Sequence, residues 1–138
     1  MTNPGIQLDL FHHLSLNPTH EVKRLMRLSV SRSRLSREEI VDQMNKIAVQ
    51  EGMRTTISKH TLDNWLKESD QGRMPSPSWM TIFCYILHDT APISAILRPL
   101  KCAVLGQEQL KLLKWAQAEQ ERRKAQRRAR LAFEELEV

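Results

Sequence analysis

Apolar residues at helical spacing mark out one helix after the sequence SREE at 36–39. This sequence is typical of a capping box, in which the Ser36 hydroxyl accepts from the Glu39 amide and the Glu39 carboxylate reaches back to the Ser36 amide. Four inner positions follow at the spacing i, i+4, i+7 and i+8: Ile40, Met44, Ile47 and Ala48. Because Gly52 is a natural end for a helix, the pattern predicts a helix from Ser36 to Gln50.

A second capped helix is predicted in the run ISKHTLDNWLKE at 57–68. Its apolar stripe consists of Leu62, Trp65 and Leu66. Ser58 is the expected N-cap, and Ile57 before the cap can form a hydrophobic staple with Leu62. The opposite side gathers five polar residues: Lys59, His60, Asp63, Asn64 and Lys67. Folding alone gives no reason for this grouping, so the polar side is a candidate functional surface.

Two further helices are predicted on either side of this pair. The first is short and runs from Thr19 to the serine and arginine run at 31–34. Its inner face is expected to hold Val22, Leu25, Met26 and Leu28. The second begins at the start signal Ser76 and Pro77. Apolar residues surround most of it, which predicts the centre of the core: Trp79, Met80, Ile82, Phe83, Cys84, Tyr85, Ile86 and Leu87.

The last part of the chain is predicted to form one short and one long helix. Pro92 opens the short one, and Pro99 should bend or end it. Its expected inner positions are Ile93, Ile96, Leu97 and Leu100. From Gly106 onward the chain is rich in Ala, Gln, Leu, Arg and Glu, which favour a long helix. No apolar heptad persists there, so a coiled coil stays open as an alternative but has no support from the sequence.

These patterns divide the chain into three segments. Residues 1–18 lack periodicity and are expected to form a flexible arm, 19–104 a compact helical domain, and 105–138 a basic C-terminal helix or tail. Aromatic residues are 5% of the chain, and it has only 4 Gly and 6 Pro. We therefore expect an all-α protein, with a bundle of about five helices between the arm and the long C-terminal helix.

The net charge adds a preference for polyanionic partners. The formal charge is +5 and the pI is about 9.6, which favours contact with nucleic acid. The excess is concentrated in residues 107–130, which hold eight Lys or Arg against three Glu. Such a run is also typical of a solvated helix or a disordered tail, so both interpretations stay open.

Several other classes of protein receive no support from the sequence. Cys84 and Cys102 lie far apart and outside any CxxC pair, so neither a disulfide framework nor a zinc site is indicated. No phosphate-binding loop, nucleophile elbow, HExxH motif or convergent carboxylate pair occurs, and we expect neither an enzyme nor a bound metal or cofactor. There is no secretory signal or long apolar stretch, so we expect a cytoplasmic protein that makes no membrane contact.

The two capped helices, followed by a third element that covers them, resemble a helix-turn-helix. The likeness is to DNA-binding domains of the phage repressor and Cro type, and it covers roughly residues 20–104. Ser36 and Arg37 match the start of the first motif helix, and Ile57 to Leu62 matches the family's run of apolar, Ser, polar, polar, Thr, apolar. The resemblance implies that the second helix lies in the major groove of double-stranded DNA while the first crosses the phosphates.

The resemblance assigns roles to individual residues. The expected base-contacting residues are Lys59, His60, Asp63 and Asn64, with Asp63 close to the wall of the groove. The expected phosphate-contacting residues in the motif are Arg37, Ser58 and Lys67. Outside the resemblance, the charge of the basic segment alone makes Arg122, Arg123 and Arg127 further candidates for phosphate contact. Chemistry agrees, because Lys can donate to guanine, Asn can pair with adenine, and a helix N-terminus favours phosphate. Such repressors usually bind as dimers, so we also expect a homodimer, with the last helix and residues 93–105 as candidate surfaces.

One feature departs from the family pattern. Residues 46–56, KIAVQEGMRTT, are expected to make the connection between the two helices about three helical turns longer than the family's short turn. This would move the recognition helix or reshape the wall beside it. A helical bundle whose Lys, Asp and Asn form an ordinary solvated face is the alternative interpretation.

The arm contains a second motif, QLDLF at 7–11. It resembles the pentapeptide by which bacterial proteins dock on the replication sliding clamp. The resemblance implies that Gln7 enters a polar pocket while Leu8, Leu10 and Phe11 fill an apolar cleft. The alternative is that the three apolar residues fold back over the domain's own core.

Two main hypotheses about function follow. The first is a sequence-specific DNA-binding protein, a transcriptional regulator of phage type. The second is an interaction protein that docks on the sliding clamp through QLDLF while the bundle supports the arm. A third is RNA binding through the arginine-rich helix.

Overall fold

The computed structural model describes residues 16–68 and 73–136, and the described part is all-helical. It has six α-helices: α1 (Thr19–Arg32), α2 (Arg37–Gln50), α3 (Lys59–Leu66), α4 (Pro77–Leu87), α5 (Ala91–Leu97) and α6 (Gln107–Leu136). A 3-10 turn (Arg98–Leu100) follows α5. The described residues as far as Val104 form one compact unit, and those from Leu105 form another. The motif at 7–11 lies outside the described residues.

Side-chain caps start three of the helices where the sequence predicts them. Ser36 and Glu39 form the capping box, with Oγ to N and N to Oε1 distances of 3.1 and 3.3 Å. The Ser58 hydroxyl accepts from the Thr61 amide at 3.2 Å and caps α3. The Ser76 hydroxyl caps α4, in which Pro77 is the first residue. These predictions are confirmed.

Gly52 ends α2 as predicted. Its φ of 75° lies in the left-handed region that glycine adopts without a steric penalty. The amide of Met53 donates to Ala48 and that of Gly52 to Val49, which satisfies two of the last carbonyls of α2. Residues 46–50 are therefore helical, and the connection to α3 is residues 51–58. The prediction of a connection over 46–56 was wrong, because the helix continues until a residue can turn the chain.

The core of the first unit lies between α1, α2, α3 and α4. Side chains from all four helices, from residue 57 and from α5 are buried together: Val22, Met26, Ile40, Val41, Met44, Ala48, Ile57, Leu62, Trp65, Leu66, Trp79, Met80, Ile82, Phe83, Cys84 and Ala95. The rings of Trp65 and Trp79 lie 6.5 Å apart and join α3 to α4. Burial raises the pKa of the Cys84 thiol to about 11, which suits its predicted place in the core.

The predicted inner face of α5 was wrong in part. Pro92 and Ala95 are the buried residues of α5, which packs against α1. Ile93 is partly buried, whereas Ile96 and Leu100 are exposed. For Leu100 the reason is that Pro99 ends the helix, so this residue falls in the 3-10 turn and does not share a face with Ile93.

Candidate functional site

α3 has one buried side and one accessible side. Its three large apolar residues expose at most 5% of their surface: Leu62, Trp65 and Leu66. On the other side Lys59, His60 and Lys67 are exposed, and Asp63 and Asn64 are half-buried. Four of the polar residues that the sequence groups together therefore lie on one side of a short helix, and Lys67 follows its last residue.

The C-terminal end of α3 is held by two cations from α1. Lys23 donates from Nζ to the carbonyl oxygens of Asn64 at 2.9 Å and Trp65 at 3.3 Å. Arg27 donates to the carbonyl of Leu66 at 3.0 Å. The last carbonyls of a helix lack partners within it and carry its partial negative charge, so both cations stabilise this end.

Lys23 is a member of the core as well as a helix cap. Only 1% of its surface is exposed. Burial lowers the pKa of its ammonium group, and the charges of Arg27 and Lys67 lower that pKa further. Sequence reasoning missed Lys23, although its position between Val22 and Met26 places it on the inner face of α1.

The N-terminal end of α3 is joined to the start of α2 by ion pairs. Arg37 and Asp63 are 2.7 Å apart, and Lys59 lies 3.7 Å from carboxylate oxygens of both Asp63 and Glu38. The hydrogen bond from Arg37 lowers the pKa of Asp63, and the charge of Lys59 adds to this effect. We call these four residues the α2–α3 ion cluster; sequence reasoning places Arg37, Lys59 and Asp63 in the site but not in contact.

The cluster predicts how Asp63→Asn changes stability with pH. Because the pKa of Asp63 is lower in the folded protein, the unfolded chain takes up its proton first as the pH falls. The stabilisation is thus complete above the ordinary carboxyl pKa of about 4 and is lost on acidification through the folded value. The residues are partly exposed, so we expect Asp63→Asn to lower the free energy of unfolding by less than about 1 kcal/mol at pH 7.

Urea unfolding at pH 7 and pH 3 measures this effect. The difference between wild type and Asp63→Asn should shrink at the lower pH. Asp42→Asn, a change to an exposed carboxylate on α2, is the matched control and should behave as wild type does. An equal deficit of Asp63→Asn at both pH values would mean that its charge does not stabilise the folded state.

The connection before α3 is fixed by Asn45 on α2. Its side-chain amide donates to the carbonyl of Ile57 at 2.8 Å and accepts from the amide of Ile57 at 2.9 Å. Ile57 and Leu62 are both buried in the core, as a hydrophobic staple requires. Asn45 therefore sets where the chain enters α3, and sequence reasoning missed it because its partner is not local.

The remaining predicted site residues are Ser58, three arginines of α6 and the clamp motif. Ser58 is exposed at the start of α3, where its hydroxyl accepts from the Thr61 amide as the N-cap. Arg122, Arg123 and Arg127 are exposed on α6, in the second unit. On that helix Glu119 lies 2.5 Å from Arg122 and 3.6 Å from Arg123. The clamp-motif residues Gln7, Leu8, Leu10 and Phe11 lie outside the described residues.

Comparison of the chain with family models, curated proteins and solved structures finds no match. In the described part of the chain, every helix is too short or too polar to cross a bilayer. Within residues 16–68 and 73–136, the His, Cys, Asp and Glu side chains form no group of three or more that could hold a metal ion.

Proposed function

We propose that the domain of residues 19–104 binds double-stranded DNA in a sequence-specific manner, as a helix-turn-helix transcriptional regulator of phage type. The observation that carries the proposal is the way α3 is held. Its apolar side is buried, its two ends are tied to α1 and α2, and its polar side remains accessible. A rigid helix with an accessible polar side is what reading base edges in the major groove requires.

The residues of α3 divide into base-reading and supporting roles. Lys59, His60 and Asn64 lie on the accessible side and carry donors or acceptors that suit base edges. The Asp63 carboxylate is engaged by Arg37 and Lys59, so we assign it to orienting these two cations beside the groove. Lys67 is exposed beyond the end of α3 and suits a phosphate contact.

The N-terminal end of α3 favours a phosphate for a separate reason. The first amides of a helix have no partner within it and carry a partial positive charge. Ser58 satisfies the amide of Thr61, and the cations Lys59 and Arg37 lie close by, paired with the carboxylates of the α2–α3 ion cluster. The eight residues of the connection, 51–58, separate α2 from α3 by more than a tight turn, and Asn45 compensates by fixing Ile57.

Selection of bound duplexes from a random pool tests this proposal. We expect enrichment of one sequence class and a preference for it over random duplex of at least 10³-fold at physiological salt, as is typical of specific binding. Enrichment of no sequence, or equal binding of single-stranded RNA, would argue against base reading by α3. The salt dependence of the affinity separates the phosphate contacts from the base contacts.

A second function is favoured by one observation in the sequence, the complete match of QLDLF at 7–11 to the clamp-docking pentapeptide. We propose that this segment docks the protein on the bacterial sliding clamp. Capture of the full chain on immobilised clamp is the expected result, with at least tenfold loss when Leu10 and Phe11 are both changed to Ala, since large buried side chains dominate such interfaces.

The matched control for clamp binding is His12→Ala with His13→Ala, which changes two neighbouring residues outside the pentapeptide. This variant should be captured as well as wild type. If the wild-type chain is not retained by the clamp, docking through QLDLF is wrong, and the proposal of DNA binding is unaffected.

A further inference from the structure

α6 presents large apolar side chains on its surface. The helix has 30 residues, none of them buried, and a length of about 45 Å at 1.5 Å per residue. Four of its apolar side chains expose between 62% and 84% of their surface: Leu112, Trp115, Phe133 and Leu136. A helix with so little buried surface gains little stability from packing within one chain.

A seven-residue repeat runs along one side of α6. Positions separated alternately by four and three residues form one stripe, which we call the α6 seam: Lys111, Trp115, Ala118, Arg122, Ala125, Ala129, Ala132 and Leu136. Four of the eight are alanines, so a search for large apolar residues passes over the repeat. Lys111 and Arg122 are also members, so the repeat is one of small residues and not a heptad of large apolar residues.

We propose that two copies of the chain associate through the α6 seam with the two helices antiparallel. In an antiparallel pair, each position of one seam faces a position of the other with the residue numbers running in opposite directions. One alignment sets Trp115 of one copy against Ala132 of the other, and Ala118 against Ala129. Trp115 thus faces a small residue, the central alanines allow the helices to approach closely, and at the ends Lys111 faces Leu136.

The same alignment makes the charges beside the seam complementary. Along one edge Glu121 of one copy faces Arg128 of the other, and Lys114 faces Glu135. Each of these opposite-charge pairs occurs twice, because the arrangement has a two-fold axis. Residues flanking a seam select the partner and the orientation in this way.

The other edge of the seam is also matched. There Leu112 of one copy faces Phe133 of the other, so two exposed apolar residues cover each other. Glu119 faces Gln126, which brings no like charges together. The basic residues Arg123 and Arg127 point away from the seam by their helical position, and they remain available to a polyanion.

A parallel pair fits the same helix poorly. Each seam residue would then face its own copy, which sets Arg122 against Arg122 and Lys111 against Lys111. Like charges in a seam disfavour association. In the antiparallel alignment Arg122 faces Ala125, and within its own helix it pairs with Glu119 at 2.5 Å.

Charge exchange in the full chain tests the alignment. By sedimentation equilibrium, we expect wild type to form dimers. Glu121→Arg alone, or Arg128→Glu alone, should raise the dimer dissociation constant on the order of tenfold, because two attractive pairs become repulsive. The double variant restores both pairs and should dimerise as wild type does. Glu134→Arg, the same charge change on the outer side of α6, is the control and should have little effect.

Disulfide cross-linking reports the orientation. In a Cys102→Ser background, chains with Ala118→Cys are mixed with chains with Ala129→Cys. Antiparallel pairing predicts cross-links between an Ala118→Cys chain and an Ala129→Cys chain, and few between two Ala118→Cys chains. Frequent cross-links between two Ala118→Cys chains would indicate parallel pairing and overturn the proposal. A monomer, or a dimer insensitive to both charge exchanges, would overturn it as well, whatever the outcome for DNA.

Discussion

Replacing Lys23 with methionine should lower the free energy of unfolding by about 2 kcal/mol, although the change removes a charge from the core. Methionine fills much the same volume, but it cannot donate to the carbonyls of Asn64 and Trp65. Trp65 would then keep a buried carbonyl without the donor that Lys23 supplies. Lys23→Ala should cost more, about 4 kcal/mol, because it also leaves a cavity.

Urea unfolding of the two variants measures these costs, and their difference separates the cavity from the lost hydrogen bonds. Arg24→Ala is the control, because Arg24 is the next residue on α1 but has an exposed side chain that pairs with Glu21 on the surface. It should change stability by no more than about 0.5 kcal/mol. If Lys23→Met were as stable as wild type, the ammonium group would not be supporting the end of α3.

Changing Asn64 to alanine should weaken binding to the preferred duplex by about 1–3 kcal/mol and leave binding to random duplex nearly unchanged. The reason is that an amide pairing with a base edge contributes only where the matching base is present. Because the Asn64 carbonyl that accepts from Lys23 belongs to the backbone, the variant keeps that support. Lys59→Ala should show the same discrimination, with an added loss on random duplex from its charge.

Titrations of both variants with selected and random duplexes measure this prediction. Gln50→Ala is the matched amide control. Gln50 is exposed and is the last residue of α2, whereas Arg37 beside the site is its first. It should bind both duplexes as wild type does. Equal losses on the two duplexes for Asn64→Ala would mean that this residue does not read bases.

The sequence predicts the parts of this fold that depend on near neighbours. The caps at Ser36, Ser58 and Ser76 and the stripe of Leu62, Trp65 and Leu66 are local patterns, and the structure confirms them. The inner face of α5 was predicted wrongly in part because seven residues ended by a proline give too short a pattern to fix which side meets α1.

The arrangement of the site depends on contacts that no local pattern contains. Lys23 and Asn64 are 41 residues apart in the chain, and Arg37 and Asp63 are 26 apart. Which polar groups meet across such distances depends on the angles at which helices pack. The sequence therefore groups the polar residues of α3 correctly, while the supports from Lys23 and Asn45 emerge only from the packed structure.

The shortness of α3 links it to the rest of the first unit. A helix of eight residues is not stable on its own in water, so α3 exists only while α1 supplies donors to its last turn and α2 holds its first. A local opening that displaces α1 would melt α3 in the same event. The stability of α3 is therefore that of the whole unit, which unfolds cooperatively. A destabilising change far from α3 would reduce the fraction of molecules in which α3 is formed.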